Sequence, residues 1–174
     1  MAFSYYARLN PAQKRIYERS AALTEIPIRQ PARFGPALEA LRAALASDAR
    51  AEVEAASLRI YRGLNAQTAA PPLALEVLAA RPHNRFGELH GLYTLVPGRT
   101  PAIQLWMRTA VNRRPVAFKT YLRTLCHEFC HHHDYAVLKL GDSFHTEGFF
   151  ARGESIFRQL SSPPGDESEK LTGS

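Results

Sequence analysis

Residues Thr124 to Tyr135 read T-L-C-H-E-F-C-H-H-H-D-Y, a stretch holding four of the chain's seven histidines and both of its cysteines. His127, Glu128 and His131 match H-E-x-x-H. On a helix, two histidines at i and i+4 lie one turn apart and can aim their ring nitrogens at one ion. The intervening glutamate is turned away from the ion but can reach a water on it. Zinc lowers the pKa of such a water towards ~7, and a carboxylate beside it can take the proton as the water attacks a carbonyl. The chemistry expected of this pattern is metal-assisted hydrolysis.

The surrounding residues supply the helix. With His127 at 0° and ~100° per residue, His131 falls near 40°, Tyr135 near 80°, Glu128 near 100° and Asp134 near −20°. Phe118, Tyr121, Leu122, Leu125 and Phe129 gather between about 120° and 220° on the other side. Cys126 and Cys130 fall off the metal-facing side and read as small buried hydrophobes. His132 and His133 continue the apolar side and read as packing or surface residues. Asp134 shares the metal face, where it could support a ligand or close the helix end, and Tyr135 stands beside it.

A catalytic zinc takes three protein ligands and keeps one position open. His145, Glu147 and Glu154 follow the long helix, on a segment read as a last helix from Phe144 to Leu160. Phe149, Ile156, Phe157 and Leu160 share the side of His145, whereas both glutamates point away, so the face argument selects His145. For the donor that would stabilise a developing oxyanion, Tyr135, Tyr93 and Arg123 are the candidates.

The elements that must hold these residues can be read from caps and periodicity. Asn10-Pro11 starts a helix running to Leu23, and Gly35-Pro36 opens a second. Ser57–Arg62 reads as a short strand from the alternation of Leu58 and Ile60 with Arg59 and Tyr61. Leu73, Leu75 and Val77 also alternate, in a piece that fits strand or helix. Residues Gly87–Val96 and Ala102–Met107 flank the turn dipeptide Pro97-Gly98 and predict an antiparallel pair. Pro115 starts a long helix reaching about Tyr135 or beyond, and Gly141-Asp142 breaks it. Helices, then short strands, then helices again argue an α+β fold built on a small, mostly antiparallel sheet. One domain over residues 1–160 is expected, its N-terminal part a helical extension. The polar, Pro/Gly-rich tail 161–174 reads as disordered.

H-E-F-C-H followed by H-T-E-G-F-F resembles the SprT-like and YgjP-like zincin metallopeptidases. Their pattern is H-E-x-x-H, a short connection, then a histidine with an aromatic four residues on. His127, Glu128, His131, His145 and Phe149 stand at those positions. The resemblance spans about Gly87 to Leu160 and implies a zincin-like domain. In it His127, His131 and His145 would bind one Zn²⁺, and Glu128 would activate the water that hydrolyses a peptide bond. The last helix would carry the third ligand. A protein or peptide substrate could add a strand to Ala102–Met107. This chain departs from SprT proteins in having no further cysteines for a zinc ribbon, and its first ninety residues match nothing in the pattern. Two other readings share these residues: a non-catalytic zinc module, with Asp134 closing the shell, and a DNA-associated protease.

Composition limits the setting. A chain of 174 residues with 45% hydrophobic content can bury a proper core. No apolar run approaches the ~18 residues of a membrane span. Met1 to Asn10 lacks a basic region followed by an apolar one, and two cysteines four apart make no disulfide framework, so a cytoplasmic protein is expected. The formal charge is +6. Such an excess suits nucleic acid or another acidic partner, but the arginines are scattered and form no dense stripe, which is the mark of a solvated surface. Oligomeric state leaves no trace in the sequence.

Overall fold

The computed structural model describes residues 3–80, 83–84, 87–88 and 90–162. The last twelve residues of the expected tail lie outside these, and Ser161 belongs to the final helix.

The chain opens with a 3-10 turn, Ser4–Arg8, and helix α1, Pro11–Ala22. Asn10 caps α1 in a full capping box with Gln13, and Pro11 sits where its missing N–H costs nothing. A 3-10 turn, Pro31–Phe34, leads into α2, Gly35–Ala46, and α3 follows as Arg50–Thr68. The strand expected at Ser57–Arg62 is therefore the middle of a helix. Val53, Ala56, Ser57, Ile60, Tyr61 and Leu64 are all buried at helical spacing, a nineteen-residue pattern that outweighs a four-residue alternation.

Strand β1, Ala74–Ala80, settles the ambiguous piece as extended chain. Two short strands follow, β2 at His83–Asn84 and β3 at Gly87–Glu88, which pair with each other. Then come β4, Gly91–Thr94, and β5, Ala102–Arg108. The sheet runs β1-β5-β4, with β5 parallel to β1 and antiparallel to β4. It is thus mixed rather than mostly antiparallel. The pairing predicted across Pro97-Gly98 forms between β4 and β5, but over Gly91–Thr94 and not from Gly87.

Strand β5 lies between two partners, so it offers no edge on which a substrate strand could pair, contrary to the expectation for Ala102–Met107. Its burial explains its composition: Ile103, Leu105, Trp106 and Met107 are all inside, as in a strand covered on both faces. Of the two sheet edges, β4 runs beside the long helix.

That helix, α4, spans Phe118–Ala136. It begins three residues after Pro115, because Pro115 and Val116 are held against β5 by the Arg108–Pro115 bridge and the bond from the Val116 N–H to the Met107 carbonyl. The last helix, α5, spans Glu147–Ser161, with Thr146 as its cap. His145 precedes this helix instead of riding on it.

The result is an α+β fold of five α-helices around a small three-stranded mixed sheet and a two-stranded ladder, among the described residues. One apolar cluster runs from Ile26 and Phe34 through α2, α3 and the sheet to α4 and α5. No helix among the described residues is long and apolar enough to cross a membrane.

Candidate metal centre

Helix α4 buries Tyr121, Leu122, Leu125 and Phe129 in the core and turns His127 and His131 towards a cleft. Their rings lie 5.1 Å apart, as one helical turn requires. The segment between α4 and α5 folds back over this face and delivers His145, with ring centroids 4.9 Å from His127 and 5.0 Å from His131. His145 Nε2 stands 3.1 Å from His127 Nε2 and 3.2 Å from His131 Nε2. Metal arms of 2.0–2.1 Å in tetrahedral geometry separate their ligand atoms by about 3.3 Å. His145 therefore faces each of the other two imidazoles at close to that spacing, and the three form a group that could hold a metal ion, their ligand atoms all within 4.8 Å of one another.

Their protonation suits that role. Burial pushes the His127 imidazole down to about 4, helped by His145 and His90. Burial and then the two neighbouring imidazoles push His131 down to about 3, and desolvation lowers His145 as well. Neutral imidazole is the form that ligates a metal.

A hydrogen-bond chain sets the tautomer of His131. Its Nδ1 lies 2.8 Å from Ser143 Oγ, and that hydroxyl donates at 2.8 Å to Asp134 Oδ2. With the hydroxyl proton directed at the carboxylate, Ser143 Oγ accepts from His131 Nδ1–H, leaving the Nε2 lone pair free for an ion. Asp134 Oδ1 receives Arg152 Nη2 at 2.8 Å, both side chains fully buried. Asp134 thus stands behind Ser143, away from the imidazole group, and does not close its fourth side.

Glu128 lines the same cleft but is only 4% exposed. Burial pushes its carboxyl up to about 7, and the backbone N–H of Tyr93 acts in the opposite direction. Gly91 makes this packing feasible: a Cβ there would come within 2.6 Å of Glu128 Oε1. No other residue lets β4 lie so close to the carboxylate.

No protein-family model, curated protein or solved structure matches this chain.

The remaining candidates are placed as follows. Glu147 receives the Tyr17 hydroxyl at 3.2 Å, and Glu154 pairs with Arg123 at 3.2 Å, so neither joins the histidines. Cys126 and Cys130 are buried free thiols. His132 is wholly buried and donates from Nε2 to the Pro71 carbonyl at 2.8 Å; His133 is buried beside it. Tyr93, Tyr135 and Arg123 all line the cleft. The Tyr135 hydroxyl donates to Asp142 at 3.2 Å, and the Tyr93 hydroxyl approaches His132 Nδ1 at 3.4 Å.

Sequence reasoning missed Ser143, Arg152, Gly91 and His90, which also lines the cleft. One signal was available for Arg152. On the helix angles it falls on the apolar side of the last helix, and a charge there must be paired. Asp134, on the metal side of α4, is its partner.

Proposed function

We propose that this protein is a zinc-dependent metallopeptidase, in keeping with the SprT-like pattern of its sequence. The observation that carries the reading is the convergence of three imidazoles, with ligand atoms within 4.8 Å of one another, in one cleft with a buried glutamate. A zinc ion held by His127, His131 and His145 would supply a Lewis acid and lower the pKa of a bound water to about 7.

The protein's own residues divide the remaining work. Glu128, with a carboxyl near neutrality, can take a proton at its carboxylate and return it to a leaving amine. The Tyr93 N–H and the glycine at 91 hold that carboxylate in position. Ser143 and Asp134 keep the His131 ring turned to present Nε2.

The cleft measures about 650 Å³, within the range of ligand-binding clefts. Its wall includes Gly91, Leu92 and Tyr93 from the edge strand β4, where an extended substrate would lie against the sheet. A structural zinc module would need a fourth protein ligand, and Asp134 is spent on Ser143 and Arg152.

The test is hydrolysis of an unstructured protein or a mixed peptide library by the zinc-loaded chain. Glu128→Gln should keep the metal and lose a factor of about 10²–10⁴ in rate. Equal rates in the two proteins would remove the peptidase reading.

A further inference from the structure

The third imidazole is the one ligand candidate with no helix under it. His145 sits between the bend at Gly141–Asp142 and the first residue of α5, in a segment with little regular structure of its own. A ligand on a loose segment must be ordered when the ion binds, at a cost in conformational entropy that preorganisation removes.

What orders it comes from the other end of the chain. Four consecutive residues, 145 to 148, each meet the N-terminal segment. The Tyr5 hydroxyl donates to the His145 carbonyl at 2.9 Å. Ser20 Oγ and Thr146 Oγ1 are bonded at 3.0 Å, both residues fully buried. The Tyr17 hydroxyl accepts from the Phe3 N–H at 3.0 Å and donates to Glu147 at 3.2 Å. Gly148 packs so closely that a Cβ would run into the carbonyl oxygens of Ser20, Ala21 and Leu23.

The rings follow the same plan. Phe144 packs against both Tyr5 and Tyr17, with centroids 6.3 and 6.2 Å away. Phe150 stacks on the His145 ring at 5.6 Å, and Phe3 backs Phe150 at 6.1 Å. Upstream, Arg19 donates to the Leu138 carbonyl at 2.9 Å, so the connection is laid along α1 from its start.

We infer that residues 3–23 are the positioning element of the third metal ligand: their hydroxyl groups hold 145–147 where His145 reaches the other two imidazoles. This rests on the reading of the three histidines as a metal site. Docking of the N-terminal segment and metal binding then strengthen each other, because linkage is reciprocal. Tyr5, Tyr17 and Ser20 touch no reacting atom and act through His145.

Two measurements on the full-length protein test it. One is competitive titration with Zn²⁺; the other is amide exchange across residues 141–150 in the metal-free protein. The proteins are wild type, Tyr5→Phe, the double variant Tyr5→Phe/Tyr17→Phe, and Tyr6→Phe. The phenylalanines keep the rings and remove only hydroxyl bonds. Losing one such bond should weaken zinc binding about five-fold, and the double variant should lose more. Amides of 144–150 should exchange faster in both.

Tyr6→Phe removes a bond from the same 3-10 turn to Glu18, away from His145, and should leave both readouts unchanged. Wild-type zinc affinity in the double variant, or unaltered exchange over 144–150, overturns the inference. If the wild-type chain takes up no zinc, the metal reading itself fails, and the exchange comparison alone decides whether this segment positions His145.

Discussion

Arg152 and Asp134 form an ion pair at 2.8 Å with neither side chain exposed to solvent. Arg152 also donates to the carbonyls of Ser20 and Leu23 at the end of α1, so one guanidinium joins α1, α4 and α5. Removing one partner of such a pair strands the other as a buried charge, at a cost of about 3–5 kcal/mol. Arg152→Met should therefore lower the melting temperature by on the order of 10 °C. Thermal denaturation followed by circular dichroism measures this, and a melt within 2–3 °C of wild type would show that the pair contributes little, near the ~1 kcal/mol level.

Metal content separates ligands from bystanders within the crowded stretch of α4. Elemental analysis of the purified chain should find one zinc per molecule, absent after His127→Ala or His131→Ala and strongly depleted after His145→Ala. Cys126→Ser should keep the metal, since that thiol is buried and off the metal face. Zinc at one hundred times its dissociation constant should stabilise the wild-type fold by about 2.7 kcal/mol. Full zinc occupancy in His145→Ala would remove it as the third ligand.

The bond from His131 Nδ1 to Ser143 predicts a graded loss. Partners that orient a ligating imidazole typically contribute 10–100-fold to metal affinity. Ser143→Ala should lower zinc affinity within about that range while leaving the far-ultraviolet circular dichroism unchanged. Asp134→Asn should weaken binding too, with an added loss of stability from the broken charge pair. Unchanged affinity in Ser143→Ala would mean that packing alone orients His131.

Gly91→Ala tests the placement of Glu128. A methyl group at 91 must push the carboxylate aside or lift β4. Hydrolysis should fall by at least about ten-fold, the rate effect of roughly 1.4 kcal/mol in the barrier, with zinc content unchanged. Wild-type rates in this variant would show that the carboxylate tolerates displacement.

Much of the site's outline is local, and local relationships can be read from letters. Helix geometry converts the spacing of His127 and His131 into a shared face, and the same periodicity sends Leu125 and Phe129 to the core. The cap at Asn10, the start of α2 at Gly35 and the burial of both cysteines follow from equally short-range rules. Where a local signal was too short, it misled. Four alternating residues at Ser57–Arg62 suggested a strand within a nineteen-residue helix. The helical angles assigned to His145 also rested on a helix that begins only at Glu147.

What the sequence by itself determined is the pair of imidazoles one turn apart, the glutamate between them and the apolar stripe that orients their helix. Each depends only on the 3.6-residue period of one element. The tertiary structure decided the rest. It brought His145 to His127 and His131 across separations of eighteen and fourteen residues, laid the N-terminal segment against residues 145–148, and paired Asp134 with Arg152. It also placed β5 inside the sheet and β4 at its edge beside the cleft. Those relationships depend on which surfaces bury each other, and no single segment carries that information.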